Sequence, residues 1–162
     1  MKKNFSNKLV GQIGENLVVA ELGRRGLIAT TFSGNVPDID VLAYKDGVSI
    51  PIQVKTVKKG NLSVNAKDYL EIEFKDNKQT VKGKNREINR GIIFVIVYIG
   101  AKLGDEEFYI CTKGNIQDLI FKNHSNYLAK NKGVRPKNPK STHCSYNKDD
   151  LVKYINNWKL LI

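Results

Sequence analysis

The sequence predicts an α/β domain in which a mixed sheet of about five strands is flanked by helices. Three observations lead there. Asp46-Gly47 is a hairpin signal set between segments that alternate in polarity. Ile92 to Ile99 is an unbroken apolar run bounded by Gly91 and Gly100, the pattern of a buried strand. Apolar residues at helical spacing precede the hairpin and recur after the buried strand. With 162 residues the chain suits one domain, 1–162, with a full-sized core.

The first element is a helix with Ser6 as N-cap, running to about Arg25 and stopped by Gly26. Leu9, Ile13, Leu17 and Ala20 form its apolar stripe, and Val10, Val18, Val19 and Leu22 widen it almost all round, so the helix is expected to be mostly buried. Glu15 stands out because Val18, Val19 and Leu22 lie on its side of the helix. Gly11, one turn earlier, would let that side approach a sheet. A carboxylate in such a setting needs a cation, a metal or hydrogen-bond donors; a rim ion pair with Lys8 or Arg25 is the alternative. Leu27 to Phe32 reads as an edge strand that leads through Ser33-Gly34-Asn35 into the hairpin.

The hairpin spans Pro37 to Thr56, PDIDVLAYKDGVSIPIQVKT. If the turn closes on Asp46 and Gly47, Lys45 pairs with Val48, Asp40 stands opposite Gln53 and Asp38 opposite Lys55. Ile39, Val41 and Ala43 then meet Ile50, Ile52 and Val54 on a wholly apolar face, which must be core. Asp38, Asp40, Gln53 and Lys55 gather on the other face, with cross-strand Cβ atoms about 5 Å apart, close enough to share one metal ion or one phosphate. A bulge would shift this register by one. A solvated Asp40–Lys55 ion pair is the bland alternative.

Pro37-Asp38-Ile39-Asp40, a hairpin, and then Gln53-Val54-Lys55 resemble the core of the PD-(D/E)XK nuclease superfamily, which includes restriction endonucleases and Holliday junction resolvases. The resemblance covers roughly the first half of the chain once the helix with Gly11-x-x-x-Glu15 is included. It implies a restriction-endonuclease-like fold and a metal-dependent endonuclease acting on DNA phosphodiesters. Carried over, Asp40 binds Mg²⁺, Lys55 assists the attacking water, and Glu15 is the helical acid that serves as auxiliary ligand or base. The chain departs from the pattern at Gln53, which stands in the acid position; the Mrr-like branch is similar in having Gln before the Lys. Mg²⁺ takes hard oxygen ligands, so the carboxylate of Asp40, the amide oxygen of Gln53 and the carbonyl of Val54 are suitable donors, with Mn²⁺ as a substitute. With one acid replaced by an amide, weaker metal affinity is expected. A non-catalytic nucleic-acid-binding module on the same fold is the alternative.

Past the hairpin, Lys58 and Lys59 lead to a strand-like Leu62 to Val64 and a strictly alternating Tyr69 to Phe74. Between Lys75 and Arg90 lies a polar stretch with few apolar residues, either a mobile loop whose Lys82, Lys84 and Arg86 clasp a phosphate backbone or a solvated connection. After the buried strand, a turn through Gly104-Asp105 leads to a partner strand, Phe108 to Cys111. Ile116, Leu119, Ile120, Tyr127 and Leu128 mark an amphipathic helix. Lys130 to Lys140 is a second basic loop with Arg135 and Lys137. Asn147 caps a last helix carrying Leu151, Tyr154, Ile155 and Trp158, whose aromatics suit the core.

A net charge of +11 points to a polyanionic partner, DNA first and RNA next; an anionic membrane is disfavoured because no strongly basic amphipathic helix stands out. Hydrophobic content of 41% excludes a disordered chain. The residues after Met1-Lys2-Lys3-Asn4 form no signal-peptide core, and the longest apolar run is too short to span a bilayer. Cys111 and Cys144 show no framework spacing, and neither they nor His124 and His143 form a zinc-type pair. A cytoplasmic setting is expected, and cutting both strands of a duplex would call for a homodimer.

Overall fold

Helix α1 occupies Lys3–Arg24 in the computed structural model, which describes residues 3–32 and 37–161, with side chains from residue 6 onward. No Gly or Pro interrupts residues 3 to 6, so Ser6 lies inside the helix rather than capping it. Its end is as expected: Gly26 takes φ 82°, the Leu27 N–H donates to the Leu22 carbonyl at 3.1 Å, and the Gly26 N–H donates to the Gly23 carbonyl at 3.0 Å. This is the Schellman closure that a left-handed glycine permits.

The buried seam of α1 differs from the expected stripe. Gly14, Val18 and Leu22 are buried, one turn apart, whereas Leu9 and Ile13 are about 40% exposed. The cause is Gly14, not Gly11: an added Cβ at Gly14 would overlap Thr56 Oγ1 and lie 2.9 Å from Thr56 Cβ, so only glycine allows the helix to rest on the sheet there. The other half of the helix faces solvent.

The strands are β1 (Ile28–Thr31), β2 (Val41–Lys45), β3 (Val48–Val57), β4 (Leu62–Asn65), β5 (Leu70–Lys75), β6 (Lys78–Lys84), β7 (Ile93–Tyr98), β8 (Glu107–Thr112) and β9 (His143–Tyr146); α2 spans Lys113–Lys130. A five-stranded mixed sheet has the order β1-β2-β3-β7-β8, with β3 and β7 parallel and the other pairs antiparallel. Every residue of β7 is buried, as an apolar strand in the sheet centre requires. Val18, Leu22, Val41, Ala43, Ile52, Val95, Val97, Ile110 and Trp158 form the core beneath α1. The connection through residues 33–35 lies outside the described residues.

Two compact units share the chain. The first comprises Met1–Asn61, Ile92–Thr112 and Asn147–Ile162, and the second Leu62–Gly91 and Lys113–Tyr146. In the first unit the expected last helix is instead a 3-10 turn at Asp149–Tyr154 and another at Trp158–Leu160. Asn147 still opens it, exchanging hydrogen bonds with Asp150 at 3.0 and 3.1 Å. The helix fails because Asn156 takes φ 48° and donates its N–H to the Phe108 carbonyl at 2.8 Å, tying the segment to β8. Leu151, Tyr154 and Trp158 are buried as expected, while Ile155 is 46% exposed.

In the second unit, the stretch expected as a polar connection contains β6, paired with β5 through Asp76 and Asn77, both at positive φ. β9, also unanticipated, pairs with β4. One face of α2 is buried through Ile116, Gln117, Ile120, His124 and Leu128. Gln117 donates to the carbonyls of Tyr69 and Asn85, each at 2.8 Å, which fixes α2 against this unit. His124 Nδ1 lies 3.4 Å from Cys144 Sγ, and burial keeps that imidazole below its ordinary pKa. In the first unit, Cys111 is buried in β8, and burial pushes its thiol up to about 12. Among the described residues no helix is long and apolar enough to cross a membrane.

Candidate active site

The hairpin register runs as predicted from Lys45–Val48 to Val41–Ile52. Beyond it the ladder changes. The Asp40 N–H donates to the Ile52 carbonyl at 2.9 Å, although Ile52 already faces Val41, so two residues of one strand meet one of the other. That is a bulge. The expected cross-strand pairs Asp40–Gln53 and Asp38–Lys55 are therefore not ladder pairs, and Asp38 takes φ 64°.

The bulge re-aims Asp40 and fixes it. Its carbonyl accepts from the Phe32 N–H at 3.1 Å, and its Oδ2 accepts from the Val54 N–H at 2.7 Å. In an unbroken ladder Val54 would face Ile39; here a carboxylate takes the place of the backbone carbonyl. A short charge-assisted bond of this kind holds the side chain in one orientation. Gln53 is half-buried beside it, with Nε2 3.5 Å from Asp38 Oδ1. Its Oε1 is buried and accepts no hydrogen bond.

Glu15 reaches the same place from α1. Burial raises its pKa above the ordinary 4.5, and the Asp40 charge raises it further. Gly11 contributes here rather than at the sheet: a Cβ on it would lie 4.0 Å from Glu15 Oε1, so glycine leaves the carboxylate room. Glu15 and Asp40 are thus close enough for their charges to interact, while Gln53 stands on β3 next to Val54, whose N–H holds Asp40. Lys55 stands two residues from Gln53 on β3, on the same strand face by alternation, and is exposed. Sequence reasoning missed Thr56, whose buried Oγ1 has no partner beside Gly14, and the Val54 N–H as the fixing donor. The signal for the latter was the Asp-x-Asp entry into a hairpin, where a side chain can replace a ladder acceptor.

The chemistry of this donor set suits a hard divalent cation. Two carboxylates repel one another, and an amide oxygen is buried without a donor; a cation answers both. Among the described residues no group of three His, Cys, Asp or Glu side chains could hold a metal ion, so a third oxygen would have to come from Gln53 or the backbone.

Without metal, Glu15 opposes folding at neutral pH. Its folded pKa lies above the unfolded one, so its favourable contribution is complete below about 4.5 and is lost as pH rises through the folded value. Glu15→Gln should therefore make the EDTA-treated protein more stable than wild type at pH 7, with the gap closing by pH 4. Urea denaturation at both pH values checks this, and an unchanged gap would count against a strained carboxylate.

The basic residues differ in their freedom. Lys58, Lys59, Arg86 and Lys137 are exposed. Lys82 pairs with Glu73 at 2.7 Å and Lys84 with Asp118 at 2.8 Å, surface pairs worth under about 1 kcal/mol that a phosphate can displace. Arg135 donates to the His143 carbonyl at 2.6 Å and lies over the Tyr127 ring.

The fold is that of a nuclease of known structure. A bacterial homing endonuclease, I-Ssp6803I, aligns over 96% of this chain and 93% of its own, with a TM-score of 0.55 and 14% sequence identity. At that identity the likeness is one of fold. No family model and no curated protein matches the sequence.

Proposed function

We propose that this chain is a metal-dependent endonuclease that hydrolyses DNA phosphodiester bonds, a member of the PD-(D/E)XK superfamily with Gln53 in the second acid position. The observation that carries the reading is the approach of Glu15 to Asp40, which the Val54 N–H holds in place, with the unpartnered Oε1 of Gln53 on the adjacent residue of β3. Its fold likeness to a homing endonuclease agrees with it.

Asp40, Gln53 and Glu15 would hold Mg²⁺, or Mn²⁺ in its place. Such an ion, when bound, lowers the pKa of water and offsets charge on the scissile phosphate. Each residue has its own task. Asp40 presents a carboxylate oriented by the Val54 amide. Gln53 supplies a neutral oxygen that needs no deprotonation. Glu15 would serve either as an auxiliary oxygen ligand or, when it stays off the metal, as the base that accepts a proton from the attacking water. Lys55 places a positive point charge on the exposed strand face, where it positions that water against the phosphate. Lys58, Lys59, Lys82, Lys84, Arg86, Arg135 and Lys137 contact the DNA backbone, so binding should weaken steeply with salt. A homodimer would cut both strands.

The test is cleavage of labelled linear DNA, four-way-junction DNA and RNA by wild type and Lys55→Ala, with Mg²⁺, Mn²⁺ or EDTA. Metal-dependent DNA cutting that Lys55→Ala loses is expected, and junction preference would separate resolvase-like from restriction-like action. Salt-sensitive binding with no cutting under any metal would replace this reading with the non-catalytic binding module.

A further inference from the structure

The β5–β6 hairpin carries a large aromatic side chain that folding only half buries. Phe74 is 45% exposed, and it lines an open cavity of about 570 Å³ together with Asn65, Lys67, Asn138, Lys140 and Ser141. A cavity of that size falls in the range of small-molecule sites.

Its walls are fixed in advance. Phe74 faces Gln79 across the hairpin, and Gln79 is 2% exposed. Gln79 Nε2 donates to the Pro139 carbonyl at 2.6 Å and to the Ser141 carbonyl at 2.9 Å. From the opposite side the Ala66 N–H donates to the Thr142 carbonyl at 2.7 Å. The Asn138 Oδ1 accepts from the Lys140 N–H at 3.1 Å, which leaves its NH₂ group for a ligand. The loop is thus held before any ligand arrives, and little ordering remains to be done on binding.

The lining contains an aromatic face, two carboxamides and two ammonium groups, and no carboxylate. A flat heterocycle with a hydrogen-bonding edge and a nearby phosphate matches all three at once. It can stack on Phe74, present its edge to Asn65 and Asn138, and set its phosphate against Lys67 and Lys140. We propose that this cavity takes one unpaired nucleobase with its phosphate. A free mononucleotide and a base of single-stranded DNA share that chemistry; the choice of DNA rests on the endonuclease reading.

The experiment follows amide resonances of the full-length ¹⁵N-labelled Asp40→Ala protein during titration with deoxyadenosine monophosphate and with a single-stranded pentanucleotide. Expected are shifts at Lys67, Asn138, Lys140 and Ser141, with the pentanucleotide binding more tightly. Phe74→Ala should weaken it roughly 5- to 100-fold and Phe74→Tyr should not, since stacking needs only the ring. Lys140→Glu, on the exposed loop, should weaken it independently of hairpin packing. Equal affinity for the two ligands would support the cavity and assign it to a free mononucleotide. Shifts confined to other residues, or unchanged affinity in both Phe74→Ala and Lys140→Glu, would overturn the proposal. Cleavage is scored separately in wild type: nucleotide binding without cleavage sinks the endonuclease but not the cavity, and cleavage without nucleotide binding does the reverse.

Discussion

Asp40→Ala is expected to lower Mg²⁺-dependent DNA cleavage by more than ~100-fold, since even outer-shell changes at metal sites cost up to that much. DNA binding should survive, because the lysines and arginines proposed to contact phosphate lie elsewhere in the sequence. The substitution also removes the acceptor of the Val54 N–H, and a half-buried amide left without a partner costs about 1–3 kcal/mol. Asp40→Asn separates the two effects. It keeps an oxygen for Val54 but lacks the negative charge, so stability should stay near wild type while cleavage is lost. Gln53→Glu makes the complementary case, since an added carboxylate should lower the Mg²⁺ concentration for half-maximal cleavage. Cleavage assays read beside urea denaturation decide the matter, and full activity in Asp40→Asn would remove Asp40 from the site.

Gly14→Val should be the most damaging single change outside the proposed site. The new Cβ would overlap the Thr56 hydroxyl and crowd its Cβ and Cγ2, all on a strand that cannot move without disturbing its neighbours β2 and β7. Overpacking costs typically 1–3 kcal/mol, and a rigid β-branched side chain sits at the upper end. In a chain of 162 residues each kcal/mol lowers Tm by about 2–4 °C, so a loss of roughly 5–10 °C is expected. Because α1 carries Glu15 next to Gly14, lifting the helix should also reduce cleavage. Thermal unfolding of Gly14→Val with and without Thr56→Ala checks the cause, for removing the hydroxyl and methyl should restore part of the loss. A wild-type Tm in Gly14→Val would mean that the close approach is not structural.

The β2–β3 hairpin was legible because its turn has one good solution. Asp46 and Gly47 take φ 49° and 85°, a pair of left-handed residues for which Asp-Gly is well suited. β7 was legible because six buried apolar residues between glycines fit few other elements. β6 was not, since Lys78–Lys84 has a single apolar residue, Val81; it is a strand through pairing with β5, and the Asp76-Asn77 turn was the overlooked sign. The C-terminal segment showed helical spacing, but a tertiary hydrogen bond at Asn156 overrode it. The candidate residues Glu15, Asp40, Gln53 and Lys55 could be proposed from their order along the chain. Their arrangement could not, because the bulge at Asp40 arises from contacts with Phe32, Ile52 and Val54 that no local pattern encodes.

The interleaving of the two units has a consequence for how the chain matures. β3 ends at Val57, but its parallel neighbour β7 begins only at Ile93, after the whole first segment of the second unit. During synthesis, Val41, Ala43 and Ile52 emerge long before the strands that complete their sheet. Until then the growing chain can cover this apolar hairpin only with α1 and β1, with one β3 edge unpaired. Asp40 and Gln53 are synthesised early, but β7, which pairs with β3 at Gln53–Phe94, is made later, so the proposed site is completed only once that part of the chain has been translated.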